Sequence, residues 1–190
     1  MYQRYNYTDA ESLNPKLYKA LPLGDKPVVG GGRKSNLDIH RQGIEEVDTI
    51  LKWIGSLVPS VAHKYSNPCN DRFEYRDYLP PSDHGGGKYN FNIEGFNLAQ
   101  CWSVLYNKGD GVEKHNHFPY ALSFCYYVNV PDGSSPLLLE DSEIYPKEGE
   151  VIFFLSSAYH SVPPCNVDGR CAVVGNIRYL VIYILLTYNK

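Results

Sequence analysis

From Asn97 onward the chain alternates short apolar runs with turn residues, at strand spacing rather than helix spacing. The runs cover 98–106, 120–130, 136–139, 150–155, 170–177 and 179–186. Between them stand Gly109-Asp110-Gly111, Pro131-Asp132-Gly133, Pro146-Lys147-Glu148-Gly149 and Val167-Asp168-Gly169. The runs are rich in aromatic and β-branched residues, which pack well on a pleated surface. No helical period intervenes. The pattern therefore predicts a mainly β fold, a sandwich or barrel, and a double-stranded β-helix of the jelly-roll type satisfies it.

The preceding stretch reads differently. Ile44, Val47, Leu51, Ile54 and Val58 recur at helical spacing, with Glu45, Glu46, Asp48 and Lys52 on the other face. They predict one amphipathic helix, packed outside a sheet and stopped by Pro59. His40 and His63 flank it as structural or solvent-facing residues. Residues 1–35 show little periodicity: Tyr2, Tyr5 and Tyr7 alternate with polar residues, then Pro15, Pro22, Gly24 and Pro27 interrupt the chain. Gly30-Gly31-Gly32-Arg33-Lys34 lacks the G-K-[ST] ending and preceding strand of a phosphate cradle, and reads as a flexible connector. Residues 80–87, with Pro80-Pro81 and Gly85-Gly86-Gly87, form a loop that is either a lid or a surface excursion. The expected organisation is one domain over 1–190, with 1–95 an N-terminal extension of helix and loops and 96–190 the jelly-roll core.

Composition narrows the classes. At 190 residues, 43% hydrophobic and 21% charged, the chain can bury a real core. Seventeen Tyr, thirteen Pro and sixteen Gly suit many short strands joined by turns. A net charge of −3 argues against general nucleic-acid binding. Tyr179 to Leu186 is too short to span a bilayer, which takes about 20 apolar residues. Five Cys without a C-x-x-C pair, and an N-terminus without an apolar signal region, predict reduced thiols in a cytoplasmic protein.

The candidate chemistry begins at His115-Asn116-His117. Side chains two apart on a strand project to one face, so two imidazoles there can converge on one metal ion. His160 follows the apolar run ending at Leu155 and offers a third ligand. Three His with further positions open suit catalysis better than a structural site. The plainer alternative is three surface or cross-strand histidines.

A longer series of residues carries a resemblance. Trp102, Lys108-Gly109-Asp110, His115-x-His117, Leu122-Ser123, Tyr126-Tyr127-Val128-Asn129, Pro131, Pro146-x-x-Gly149, Phe153-Phe154-x-Ser156, His160-x-Val162, Arg170 and Asn176 occur in that order. Over about residues 102–177 the sequence resembles the Fe(II)- and 2-oxoglutarate-dependent oxygenases, in particular small prolyl-hydroxylase-like enzymes of bacteria and phages. The resemblance implies Fe(II) on His115, His117 and His160, and 2-oxoglutarate as co-substrate with its far carboxylate on Arg170. It implies that Tyr127 shares that carboxylate, and Tyr106 is placed to face the same pocket. The implied reaction consumes dioxygen, releases succinate and carbon dioxide, and hydroxylates a small molecule or a peptide, in a bacterial cytoplasm or a phage-infected cell. A homodimer is left open.

One departure stands out, because most of that superfamily carries H-x-[DE] where this chain has His117. Either the centre is a true three-His site or a carboxylate arrives from elsewhere, with Asp141 the first candidate and Asp110, Glu113 and Glu140 also near. A cupin-like three-His dioxygenase that does not use 2-oxoglutarate is the rival reading. Its motif, however, wants a Glu where Ala121 and Leu122 stand, and a closer Gly than Gly149 before the last His. A non-catalytic jelly-roll binding module is the third.

Overall fold

The computed structural model describes residues 2–24, 26–65 and 95–179. Among the described residues eleven strands form two antiparallel sheets, as the apolar runs predict. In chain order the core strands are β4 (Phe96–Tyr106), β5 (Val112–His115), β6 (Leu122–Asn129), β7 (Leu137–Leu139), β8 (Ser142–Ile144), β9 (Glu150–Leu155), β10 (His160–Val162) and β11 (Arg170–Tyr179). The major sheet contains β9-β6-β11-β4 and the minor sheet is β5-β10-β7-β8. The chain thus crosses between layers after nearly every strand, which is the winding of a double-stranded β-helix.

Both faces of the major sheet are covered, which explains why its strands read as continuous apolar runs rather than as alternation. Phe124, Tyr126, Val128, Val151, Phe153, Cys171 and Val173 pack on the outer face beneath the helices. Cys125, Tyr127, Ile152, Phe154, Ala172 and Val174 point inward toward the minor sheet. The four described cysteines are free and buried. Burial pushes Cys125 and Cys171 up to about 12, so they remain thiols at neutral pH.

The long helix corrects its expected end. It runs as Glu45–Tyr65 with Pro59 inside it. Proline removes one helical hydrogen bond, but Val61, Ala62 and Tyr65 beyond it continue the buried stripe. Full burial of a side chain such as Val61 contributes about 1.5–3 kcal/mol, and with Ala62 and Tyr65 added the stripe offsets one lost bond. The Tyr65 hydroxyl also donates to the Phe153 carbonyl at 3.3 Å, tying the added turns to the sheet.

The N-terminal region is more ordered than its pattern suggests. Strand β1 (Tyr2–Asn6) pairs along β9, and helix α1 (Ala10–Ala20) packs beside α2, the Glu45–Tyr65 helix, despite Pro15 within it. Its few apolar positions, Leu13 and Leu17, are too sparse to show a period. The glycine run is not a flexible connector. Between the two-residue strands β2 (Lys26–Pro27) and β3 (Arg33–Lys34), Gly111 N donates to Gly30 O at 2.8 Å and Glu113 N to Val29 O at 3.1 Å. Strand β3 adds to the major sheet beside β4. A side chain at Gly32 would stand 2.8 Å from the Tyr106 ring, so only glycine fits that close approach. The expected loop at 80–87 and the expected strand beyond Tyr179 lie outside the described residues. No helix among the described residues is long and apolar enough to cross a membrane.

Candidate metal centre

Strand pairing builds the centre. His115 ends β5, His160 begins β10, and the two are directly opposed across that ladder. Directly opposed residues share a face, which brings the imidazoles to 4.3 Å between centroids, with their planes inclined by 50°. His117 lies just past β5 rather than on it, so it is not placed by strand alternation. Its backbone N–H donates to Ser156 O at 2.7 Å, and this turns the ring back to 4.9 Å from both others. The ligand nitrogens of the three residues lie within 4.8 Å of one another.

Backbone carbonyls orient two of the rings. His115 Nδ1 donates to Glu113 O at 2.8 Å and His160 Nδ1 to Ala158 O at 3.1 Å. A carbonyl can only accept, so those nitrogens carry a proton, and in the neutral ring this leaves the Nε2 lone pair free. Burial, followed by the His160, His115 and Lys34 charges, pushes His117 down to about 3. Burial, then His115, pushes His160 down to about 4. Both are neutral at physiological pH, as a metal ligand must be. Phe154 and Trp102 pack on His160 and His117 at 4.8 and 5.6 Å.

Behind His117 runs a buried polar chain. Ser156 and Ser123 share a hydrogen bond of 2.7 Å, Ser123 donates to Asn176 Oδ1 at 2.8 Å, and Asn176 donates to Gln100 at 3.0 Å. These groups hold the Ser156 turn that fixes His117.

Among the described residues, no carboxylate joins the metal-competent group, which is three His alone. Asp141, the expected candidate, is exposed in the turn between β7 and β8. Asp110 accepts from Asn107 N at 2.9 Å and Glu140 from Tyr159 N at 2.6 Å, each serving its turn.

The imidazoles open on a cavity of about 430 Å³ between the two sheets. Arg170, first residue of β11, points into it and is 1% exposed. Its guanidinium lies 4.8 Å from the Tyr106 ring centroid and 5.3 Å from that of Tyr127. Among the described residues it has no carboxylate partner, and its Nε lacks any hydrogen-bond partner. The Tyr127 hydroxyl is equally orphaned. Burial raises both phenols, so each keeps its proton and can donate. Buried, unpartnered donors are costly, about 1–3 kcal/mol each. Grouped around a cavity, they define a seat for an oxyanion, and a guanidinium suits the planar carboxylate.

The pattern missed part of the wall. Pro27, Val28, Val29 and Lys34 line the cavity from β2, β3 and their turn. Two-residue strands have no periodicity to detect, and no other signal in 1–35 marks them.

No protein-family model matches the sequence, and no characterised protein matches it by sequence. Solved structures do match. A Pseudomonas putida prolyl-4-hydroxylase superposes with a TM-score of 0.62 at 16% identity, over 94% of this chain and 92% of that one. The viral collagen prolyl hydroxylase of Paramecium bursaria Chlorella virus-1, solved with 2-oxoglutarate, gives 0.59 at 14% identity over 94% and 96%. SnoN, a non-heme α-ketoglutarate-dependent epimerase of nogalamycin biosynthesis, gives 0.63 at 11% over 94% and 76%. Identities this low speak to architecture alone: the jelly roll of this chain is the fold of those oxygenases.

Proposed function

We propose that the protein is an Fe(II)- and 2-oxoglutarate-dependent oxygenase that hydroxylates a peptidyl or small-molecule substrate. One observation carries the reading. Three converging imidazoles, two of them with Nδ1 tied to a carbonyl, share a cavity with a buried guanidinium that has no carboxylate partner among the described residues and with an unpartnered phenol. The first group suits a borderline divalent metal. The second suits the far carboxylate of a short diacid chelating that metal.

His115, His117 and His160 would hold the iron, and Arg170 with the Tyr127 hydroxyl would hold the distal carboxylate. Tyr106 walls the anion seat and stacks on Arg170. When bound, iron activates dioxygen and couples decarboxylation of 2-oxoglutarate, to succinate and carbon dioxide, to oxidation of the substrate. The protein's own part is to fix the ligands through Glu113 O, Ala158 O and the Ser156 turn. The apolar side chains Val104, Ala172 and Val174 line the cavity and limit water.

The fold analogy to prolyl hydroxylases supports a peptidyl substrate by association only. The absence of a carboxylate ligand among the described residues favours one second reading, a three-His dioxygenase without 2-oxoglutarate. Anaerobic addition of Fe(II) and then 2-oxoglutarate separates the two. The oxygenase develops a visible metal-to-ligand charge-transfer band that saturates with 2-oxoglutarate. Iron uptake without that band, and without weakening in Arg170→Leu, assigns the second reading.

A further inference from the structure

A second cation stands inside the same cavity, and the co-substrate seat does not use it. Lys34 is opposed to Val104 across the β3–β4 ladder. Opposed residues project to the same face, and Val104 belongs to the inner cluster, so Lys34 points inward and lines the cavity. It is half-buried, and among the described residues no carboxylate pairs with it. Glu113, the acidic residue of the cavity lining, is exposed at the rim and does not reach it. Lys114, the other lining lysine, sits 5.6 Å over the Tyr159 ring.

The position along β4 is informative. Trp102 packs on His117, Val104 opposes Lys34, and Tyr106 opposes and stacks on Arg170. Lys34 therefore flanks the path from the imidazoles to Arg170 without lying at either end. A volume of about 430 Å³ falls in the range that holds drug-sized ligands, about 300–1,000 Å³, so a short diacid leaves room beside it. A strongly hydrated ammonium is costly to withdraw from water without a partner. Three His in place of two His and a carboxylate also leave the cavity one negative charge short, and so more cationic.

We infer that Lys34 is the centre of a second anion subsite, which takes a carboxylate or phosphate of the primary substrate beside the co-substrate. This rests on the oxygenase reading. Lys34 is then a specificity-determining residue, and the substrate is an acid oriented by its own charge toward the imidazole cluster.

Calorimetry on the full chain, anaerobic and loaded with Fe(II) and 2-oxoglutarate, tests it with three probes: 3-phenylpropionate, its uncharged amide, and phenyl phosphate. A charge-assisted hydrogen bond predicts that the acid binds about 10-fold more tightly than the amide. Lys34→Gln brings that ratio close to one, and Lys34→Arg retains most of it. Affinity for 2-oxoglutarate stays within about 2-fold in both variants, since Arg170 keeps its own anion. Whichever of phenyl phosphate and the acid binds tighter identifies the anion. Equal binding of acid and amide by the parent, or a ratio untouched by Lys34→Gln, overturns the inference. So does loss of 2-oxoglutarate affinity in Lys34→Gln, which places Lys34 in the co-substrate anchor instead. Should the parent take up no 2-oxoglutarate, the oxygenase reading fails on its own, and the acid-to-amide ratio with metal alone still decides Lys34.

Discussion

The two faces of the major sheet are built from alternate residues of the same strands, yet they do different work. Phe124, Tyr126, Val151, Phe153 and Val173 face out under the helices in a closed apolar layer. Their neighbours in sequence, Cys125, Tyr127, Ile152, Phe154 and Val174, face in around a cavity with Arg170 and the imidazoles. The outer face concentrates stability. The inner face gives some of it up, because it keeps the Arg170 Nε and the Tyr127 hydroxyl without hydrogen-bond partners. A one-residue slip of β6 or β11 would exchange the two roles entirely.

That contrast can be broken at chosen points. The largest effect is expected at His160: replacement by Ala removes one of three ligands, and iron-dependent succinate formation drops to background. Unchanged turnover would take His160 out of the chemistry. Next is Arg170→Leu, which should weaken 2-oxoglutarate binding about 100-fold or more while iron affinity holds. Because an uncompensated buried charge is removed, the variant's metal-free thermal midpoint should stay level or rise. A large fall would mean that Arg170 is structural. On the other face, Phe153→Ala should cost about 3–5 kcal/mol of stability, read by denaturant unfolding. The molecules that remain folded should bind 2-oxoglutarate as before.

The smallest effect concerns His40, 1% exposed beneath the long helix. Burial and then Arg41, against Asp38, push it down to about 4. Arg41 Nε donates to its Nε2 at 3.3 Å, which requires the neutral ring. A histidine depressed in the folded state takes up its proton only below the unfolded value of about 6.5. Its stabilisation is therefore full above that pH and is lost as pH falls toward about 4. His40→Leu should flatten the fall in thermal midpoint across that window. An unaltered slope would assign it to other groups, His160 and His117 among them.

Much of the architecture was readable because its causes are local. Doubly covered strands give unbroken apolar runs, and Glu150–Leu155 emerges with the expected bounds. The helix was readable from Ile44 to Val58, but its last turns hang on packing against β9, which lies far away in sequence. The three imidazoles were legible as a spacing, though the reason for His117's position was not. It comes from a hydrogen bond to Ser156, 39 residues on, instead of from strand alternation. Lys34 left no trace at all: two residues cannot show a period, and its meaning comes only from the β4 residue opposite.

The pairing of Tyr2–Asn6 along Glu150–Phe154 has a consequence for handling the protein. It occupies the row of amide and carbonyl groups that β9 would otherwise present at the rim of the sheet. Cutting the chain after Asn6 would uncover that row in a hydrophobic strand, an open template for a second molecule. Such a truncated protein should self-associate and precipitate while its metal ligands remain intact. The first strand thus covers β9 at one edge of the sheet, while Lys34 stands on β3, one strand in from the other edge.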